Sequence, residues 1–200
     1  CRDFFVAIWA EAEALGAMPA GTSLSVLHGV REEDMATALA SDARPTLNSR
    51  EQVIRWRDAG GGVCDVMVDT GMNRLGIAVQ DVVDGLLDGL VIDTLMSHLA
   101  SADADIPQNR KQRDAFAALA GRTGAKRLSL ANSAGICLGF EYAFDLTRPG
   151  VALYGGVPRG EAEGHIHQVA FPEAQVLQRR SIEAGESVGY NATFTAERCT

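Results

Sequence analysis

Four short segments carry side chains suited to one kind of chemistry. Asp69-Thr-Gly-Met-Asn-Arg-Leu-Gly76 holds Arg74 in a glycine-flanked turn, and Ser97-His98 supplies an imidazole. Ala131-Asn132-Ser133 pairs an amide with a hydroxyl, and Thr147-Arg148-Pro-Gly-Val-Ala-Leu-Tyr-Gly155 sets Arg148 beside the backbone of Gly150 and Val151. Together they suit an anionic ligand with a phosphate and an aromatic ring. Each has a plainer reading alone: His98 as a core histidine, Asp69-Thr-Gly as a turn, Arg148 as a partner for Asp145. Asn132-Ser133 reads as a helix N-cap, although an N-cap and a phosphate cradle share a helix start in many proteins. Their arrival at four successive strand ends argues for a site. Nothing resembles G-x-S-x-G, H-E-x-x-H or G-x-x-x-x-G-K-[ST]. His165-Ile-His167 reads as solvated linker, Met67, Met72 and Met96 as core fillers, and no metal site is expected.

The elements that must position these groups follow from the hydrophobic pattern. Phe4–Ile8, Ser23–Leu27, Arg44–Leu47, Cys64–Val68, Val91–His98, Leu128–Ala131 and Val151–Leu153 read as short buried strands. Between them lie amphipathic stretches: Ala10–Leu15, Glu32–Leu39, the run opened by the capping box Ser49-Arg-Glu-Gln52, Val79–Leu87, and Pro107–Leu119. Strands apolar on both faces and alternating with helices imply a parallel sheet. Seven of them fit a (β/α)8 TIM-type barrel missing its first strand, in an α/β fold whose functional groups gather where strands end. An open doubly wound sheet is the alternative, disfavoured by the lack of G-x-G-x-x-G after the first strand. After Gly164 the texture changes, with Glu183-Ala-Gly-Glu186 as a turn, as at the start of an all-β C-terminal domain. The expected domains are residues 1–164 and 165–200.

Composition narrows the class. The 200 residues carry a net charge of −8 and no basic stripe, which argues against nucleic acid as partner. No apolar run reaches the roughly 20 residues of a membrane span. The four cysteines make no C-x-x-C pair, so a reducing, cytoplasmic setting is expected. Of the 18 basic residues only Lys111 and Lys126 are lysines.

The segments FFVA (4–7), LNS (47–49), VDTGMNRLG (68–76), MSHLASAD (96–103), ANSAG (131–135), TRPGVALYG (147–155) and VGYNATF (188–194) give the chain its resemblance to bacterial alanine racemase. That family joins a barrel binding pyridoxal 5'-phosphate (PLP) to a C-terminal β domain. The resemblance implies Tyr190 as the catalytic base on one face of the substrate, delivered to the neighbouring subunit's site in a homodimer. It implies Arg148 facing the pyridine nitrogen and His98 linking that arginine to the tyrosine. Asn132, Ser133, Gly150 and Val151 become phosphate contacts, and Arg74 a substrate contact. It further implies an alanine substrate, interconversion of L- and D-alanine by two-base proton transfer, and supply of D-alanine for peptidoglycan.

The logic is consistent. Inverting a stereocentre needs a base on each face. A phenol, with an ordinary pKa near 10, needs nearby positive charge to act as a base at neutral pH. Arginine, protonated below about pH 12, leaves the ring nitrogen facing it unprotonated. The family's cofactor-anchoring lysine, the base for the opposite face, lies on the strand expected before Cys1, so residues 1–200 are not expected to racemise alone. Met67 stands where some members carry a carboxylated lysine, and Asn191 where glycine is common. A broader-specificity racemase, a basic-amino-acid decarboxylase and a non-catalytic PLP-binding barrel remain alternatives; VGYNATF after the barrel counts against the last.

Overall fold

The computed structural model describes residues 1–200, in two compact units of residues 1–169 and 170–200. The first unit opens with β1 (Asp3–Val6), α1 (Trp9–Leu15), β2 (Ser23–Val26), α2 (Met35–Ala40), β3 (Arg44–Leu47) and α3 (Arg50–Asp58). It continues with β4 (Cys64–Asp69), the two-residue β5 (Ile77–Ala78), α4 (Val79–Val83), β6 (Ile92–Met96), α5 (Pro107–Ala117), β7 (Arg127–Ser129), α6 (Ser133–Cys137) and α7 (Phe140–Ala143). Every pairing is parallel, in the order β1-β2-β3-β4-β6-β7, with β5 attached to β4. Arg127 on β7 donates to Asp3 on β1 at 2.8 Å, so the two outermost strands of that order meet across the interior. The sheet is therefore rolled into a parallel half-barrel, in keeping with the (β/α)8 barrel lacking its first strand that the pattern led us to expect.

Local chemistry explains the helices. Ser49 Oγ accepts the Gln52 N–H at 3.3 Å, while Gln52 Oε1 accepts the N–H of Asn48 at 2.8 Å, one residue before the position a standard capping box would use. Pro107 starts α5 at a position where its missing N–H costs nothing. Asn109, Gln112 and Phe116 form the buried stripe of α5, at i, i+3 and i+7. Phe116 meets Phe144 edge to face at 5.2 Å.

One expected strand is not there. Val151–Tyr154 is a 3-10 turn, because Pro149-Gly150 breaks the extended chain and Gly155, at φ +86, closes the turn. Residues 79–87 are helical only to Val83, and Gly85 turns the chain at φ +85. His165 and His167 are both exposed. No helix is long and apolar enough to cross a membrane.

In the second unit β8 (Ser187–Val188) pairs antiparallel with β9 (Phe194–Thr195), and the Glu186 N–H closes the expected turn on Glu183 O at 3.1 Å. Asn191 and Ala192, between these strands, lie at φ +61 and +49. Asparagine tolerates that left-handed backbone better than other chiral residues, which accounts for its standing where glycine is common.

Candidate functional site

The strand ends gather most of the candidate residues at one rim. Arg148 N–H donates to Ala131 O at 2.8 Å, laying Arg148 parallel to Asn132. Its guanidinium turns inward: Nη1 donates to Ser129 O at 2.8 Å and also bonds Ser129 Oγ, and Nη2 donates to Ser97 O at 2.6 Å. The carbonyl holding Nη2 belongs to the residue just before His98. No carboxylate pairs with Arg148; Asp145 instead accepts the Leu128 N–H at 2.8 Å. Burial lowers the Arg148 pKa to about 10, against a raising influence of Asp65, so the group stays cationic at neutral pH.

His98 is half-buried, and its pKa is pushed down to about 4 by burial and then by the positive charges of Arg148 and Arg74. Its imidazole is therefore neutral at physiological pH. Gln112 fixes the local backbone, donating to His98 O at 3.0 Å and accepting from Ala100 N–H at 2.9 Å. Asn132 caps α6 by accepting the Gly135 N–H at 2.8 Å. Ser133 Oγ accepts N–H groups of Gly150 (2.9 Å) and Ala152 (3.3 Å), which stitches the helix start to the turn after Arg148.

Arg74 is exposed, in a loop held by Asp69, whose carboxylate accepts the N–H groups of Gly71 and Met72, each at 2.8 Å. Those hydrogen bonds hold the Asp69 pKa below the ordinary range although burial opposes them. Met67 packs nearly buried, in register with Met96, and offers Arg74 no polar support. Tyr190 belongs to the second unit, where it opens a 3-10 turn with its side chain exposed.

The arrangement therefore brings Arg148, His98, Asn132, Ser133, Gly150 and Val151 to one end of the barrel. Sequence reading missed the groups that seat them: Ser97, Ser129 and Gln112. A glutamine on the core face of α5 was the available signal, since a buried amide implies a specific partner.

The donor set fits an anionic pyridine cofactor. Arg148 keeps Nε without a protein acceptor while both Nη atoms are held, and the Val151 N–H opens its turn without one. A parallel α/β barrel whose strand ends carry a seated guanidinium, a neutral imidazole and an open backbone N–H is a ligand-binding barrel of the enzyme type. Residues 1–158 match the model for the alanine racemase N-terminal domain, and the chain belongs to that family.

Its relatives include the alanine racemase of Acidiphilium cryptum, 41% identical over 208 residues that cover 99% of this chain and 58% of the relative. That of Rhodospirillum rubrum is 41% identical over 213 residues, covering 98% and 56%. Among solved structures, alanine racemase from Bartonella henselae with covalently bound pyridoxal phosphate superposes with a TM-score of 0.80 at 35% identity, over 100% of this chain and 59% of that one. The chain thus spans just under three-fifths of the length of these proteins.

Proposed function

We propose that these residues form the cofactor-binding barrel of a PLP-dependent alanine racemase that interconverts L- and D-alanine. The observation that carries this reading is a cationic Arg148 seated by Ser97 and Ser129, with Nε spare, next to a His98 held neutral. The fit to PLP also rests on the open Val151 N–H and on the likeness to the Bartonella henselae alanine racemase with covalently bound pyridoxal phosphate.

Bound to the substrate amino group, PLP supplies the electron withdrawal that acidifies the Cα–H. The chain's own residues supply the rest. Arg148 would meet the pyridine nitrogen with a group that keeps its own proton, leaving that nitrogen unprotonated and the electron withdrawal weaker. Ser133, Asn132 and the backbone of Gly150 and Val151 would hold the phosphate, the Gly150 N–H exchanging its Ser133 Oγ partner for it, and Arg74 would meet the substrate carboxylate. Tyr190 Oη takes or returns the Cα proton on one face, in the site of the partner subunit of a homodimer. His98, uncharged, carries the influence of Arg148 toward that phenol. The opposite face requires a second base. Lys111 is exposed midway along α5, and Lys126 precedes β7 at the barrel end away from the rim, so neither serves. On this reading residues 1–164 are barrel and 165–200 begin the β domain, five residues before the division between the two compact units after Val169. Supply of D-alanine for peptidoglycan and a cytoplasmic location follow from this activity.

The test is the full-length protein supplied with PLP and L-alanine. Racemisation should appear as decay of optical rotation, and Tyr190→Phe should lower kcat by at least about 100-fold, as removal of a general base does. Turnover of other amino acids in preference to alanine would favour the broader-specificity racemase, and release of CO2 the decarboxylase.

A further inference from the structure

Below the rim, Asp3, Arg44, Asp65, Asp93 and Arg127 converge from five strands and pair among themselves. Arg44 reaches Asp93 at 3.0 Å and stands 3.4 Å from Asp65, while Arg127 spans Asp3 at 2.8 Å and Asp93 at 2.6 Å. The groups that brace the rim from behind are neutral instead, and they centre on one glutamine of α5.

Gln112 is only 1% exposed, and it reaches the ends of two strands. After β6, its Nε2 donates to His98 O at 3.0 Å and its Oε1 accepts the Ala100 N–H at 2.9 Å. After β4, the same Nε2 stands 3.5 Å from Thr70 Oγ1, and Gly71 lies so near that a Cβ there would be 3.5 Å from Gln112 Cγ. Gln108, one turn earlier on α5, donates to Gly71 O at 3.0 Å. Thr70 Oγ1 and Ser97 Oγ share a buried hydrogen bond of 2.7 Å that joins the two strand ends directly.

Those ends lead to different cations. Thr70 and Gly71 open the loop of Arg74, where Asp69 already fixes the N–H groups of Gly71 and Met72. Ser97 gives its carbonyl to Arg148 Nη2 at 2.6 Å. Its N–H donates at 3.0 Å to Ser129 O, the carbonyl that also accepts Arg148 Nη1. The β4–β6 ladder runs out at Met67 and Met96, so beyond that pair the side chains of Thr70, Ser97 and Gln112 keep the two ends together. A planar amide suits the task because one rigid group donates twice and accepts.

We propose that Gln112 is a positioning residue that holds the Arg74 loop and the Ser97-His98 strand end as one body, so that Arg74, His98 and Arg148 keep a fixed spacing. The brace stands on these contacts alone, whereas its effect on turnover rests on the racemase reading.

The experiment uses the full-length protein. Gln112→Met keeps the length of the side chain and removes its hydrogen bonds. The charged groups facing His98 are Arg148 and Arg74. In cofactor-free protein the His98 ring protons, assigned by their loss in His98→Gln, are followed by NMR against pH. Released from its fixed distance to both guanidiniums, the ring should titrate roughly one unit higher in Gln112→Met than in the wild type. A role confined to stability would lower the urea midpoint and leave that titration in place. With PLP and L-alanine, Gln112→Met should raise KM and lower kcat, each by about tenfold, whereas Gln108→Met, which frees only the Gly71 carbonyl, should raise KM alone. Should Gln112→Met not fold, Thr70→Val, which deletes the hydroxyl shared with Ser97 and keeps the shape, takes its place with the same direction expected. An unshifted His98 titration, or a kcat loss in Gln108→Met equal to that in Gln112→Met, overturns the proposal. If the full-length protein fails to racemise alanine, the racemase reading falls, while the NMR titration still decides the brace.

Discussion

His98 shows how one side chain's charge state follows from its neighbours. Burial, and after it the guanidiniums of Arg148 and Arg74, hold it near 4 in the folded protein, below the 6.5 of a free imidazole. The unfolded chain therefore binds that proton first as pH falls. The corresponding stability is present above pH 6.5, drains away between 6.5 and 4, and is gone below, a loss on the order of 3 kcal/mol. In cofactor-free protein, His98→Gln should flatten this part of the stability profile, measured as the urea midpoint from pH 7 to 4. A wild-type profile no steeper than the variant's would show that the ring is solvated. On the proposed racemase reading, the same neutrality would let the ring stand between Arg148 and a phenol without adding a charge of its own.

Elements set where these groups stand, and the loop from Asp69 to Gly76 is the most tightly specified. Gly76 lies at φ +132, and a Cβ there would come within 2.5 Å of Asp69 N, the backbone from which the Arg74 loop departs. Gly76→Ala should destabilise the protein by more than about 1 kcal/mol and, if the racemase proposal holds, raise KM for alanine more than it lowers kcat, since it displaces Arg74 rather than Arg148. A variant with wild-type stability and KM would mean that the loop yields freely. The alternation of strands and helices was legible because most strands centre on a few apolar residues, as in Cys64–Asp69 and Ile92–Met96, and are separated by stretches of helical period. The rim residues were legible because those runs end in unusual polar groups. Val151–Leu153 misled, since three apolar residues after Pro-Gly satisfy a strand pattern and a 3-10 turn equally. The interior ions escaped notice for another reason. Arg44, Asp65, Asp93 and Arg127 each sit alone at or near a strand start, where a single charge reads as the solvated end of a strand, and only the rolled sheet turns them toward one another.

At the scale of the molecule, the barrel unit makes its own core and its own rim, and the interior ions join strands remote in sequence. Arg127 is the main tie between the sixth strand of the order and the first, a contact spanning 124 residues. Such a contact has a kinetic consequence. Neighbouring βα units assemble from local pairings, whereas a bridge closing so long a loop carries a large entropic cost and forms late. Arg127→Met should then leave the refolding rate nearly unchanged and speed unfolding, visible as a steeper loss on the unfolding arm of a chevron plot. A slowed refolding arm would instead place this bridge in the nucleus. If the clasp does close last, the lifetime of the native barrel against proteases and heat is governed from its floor, by a handful of ions remote from the rim that gathers Arg148 and His98.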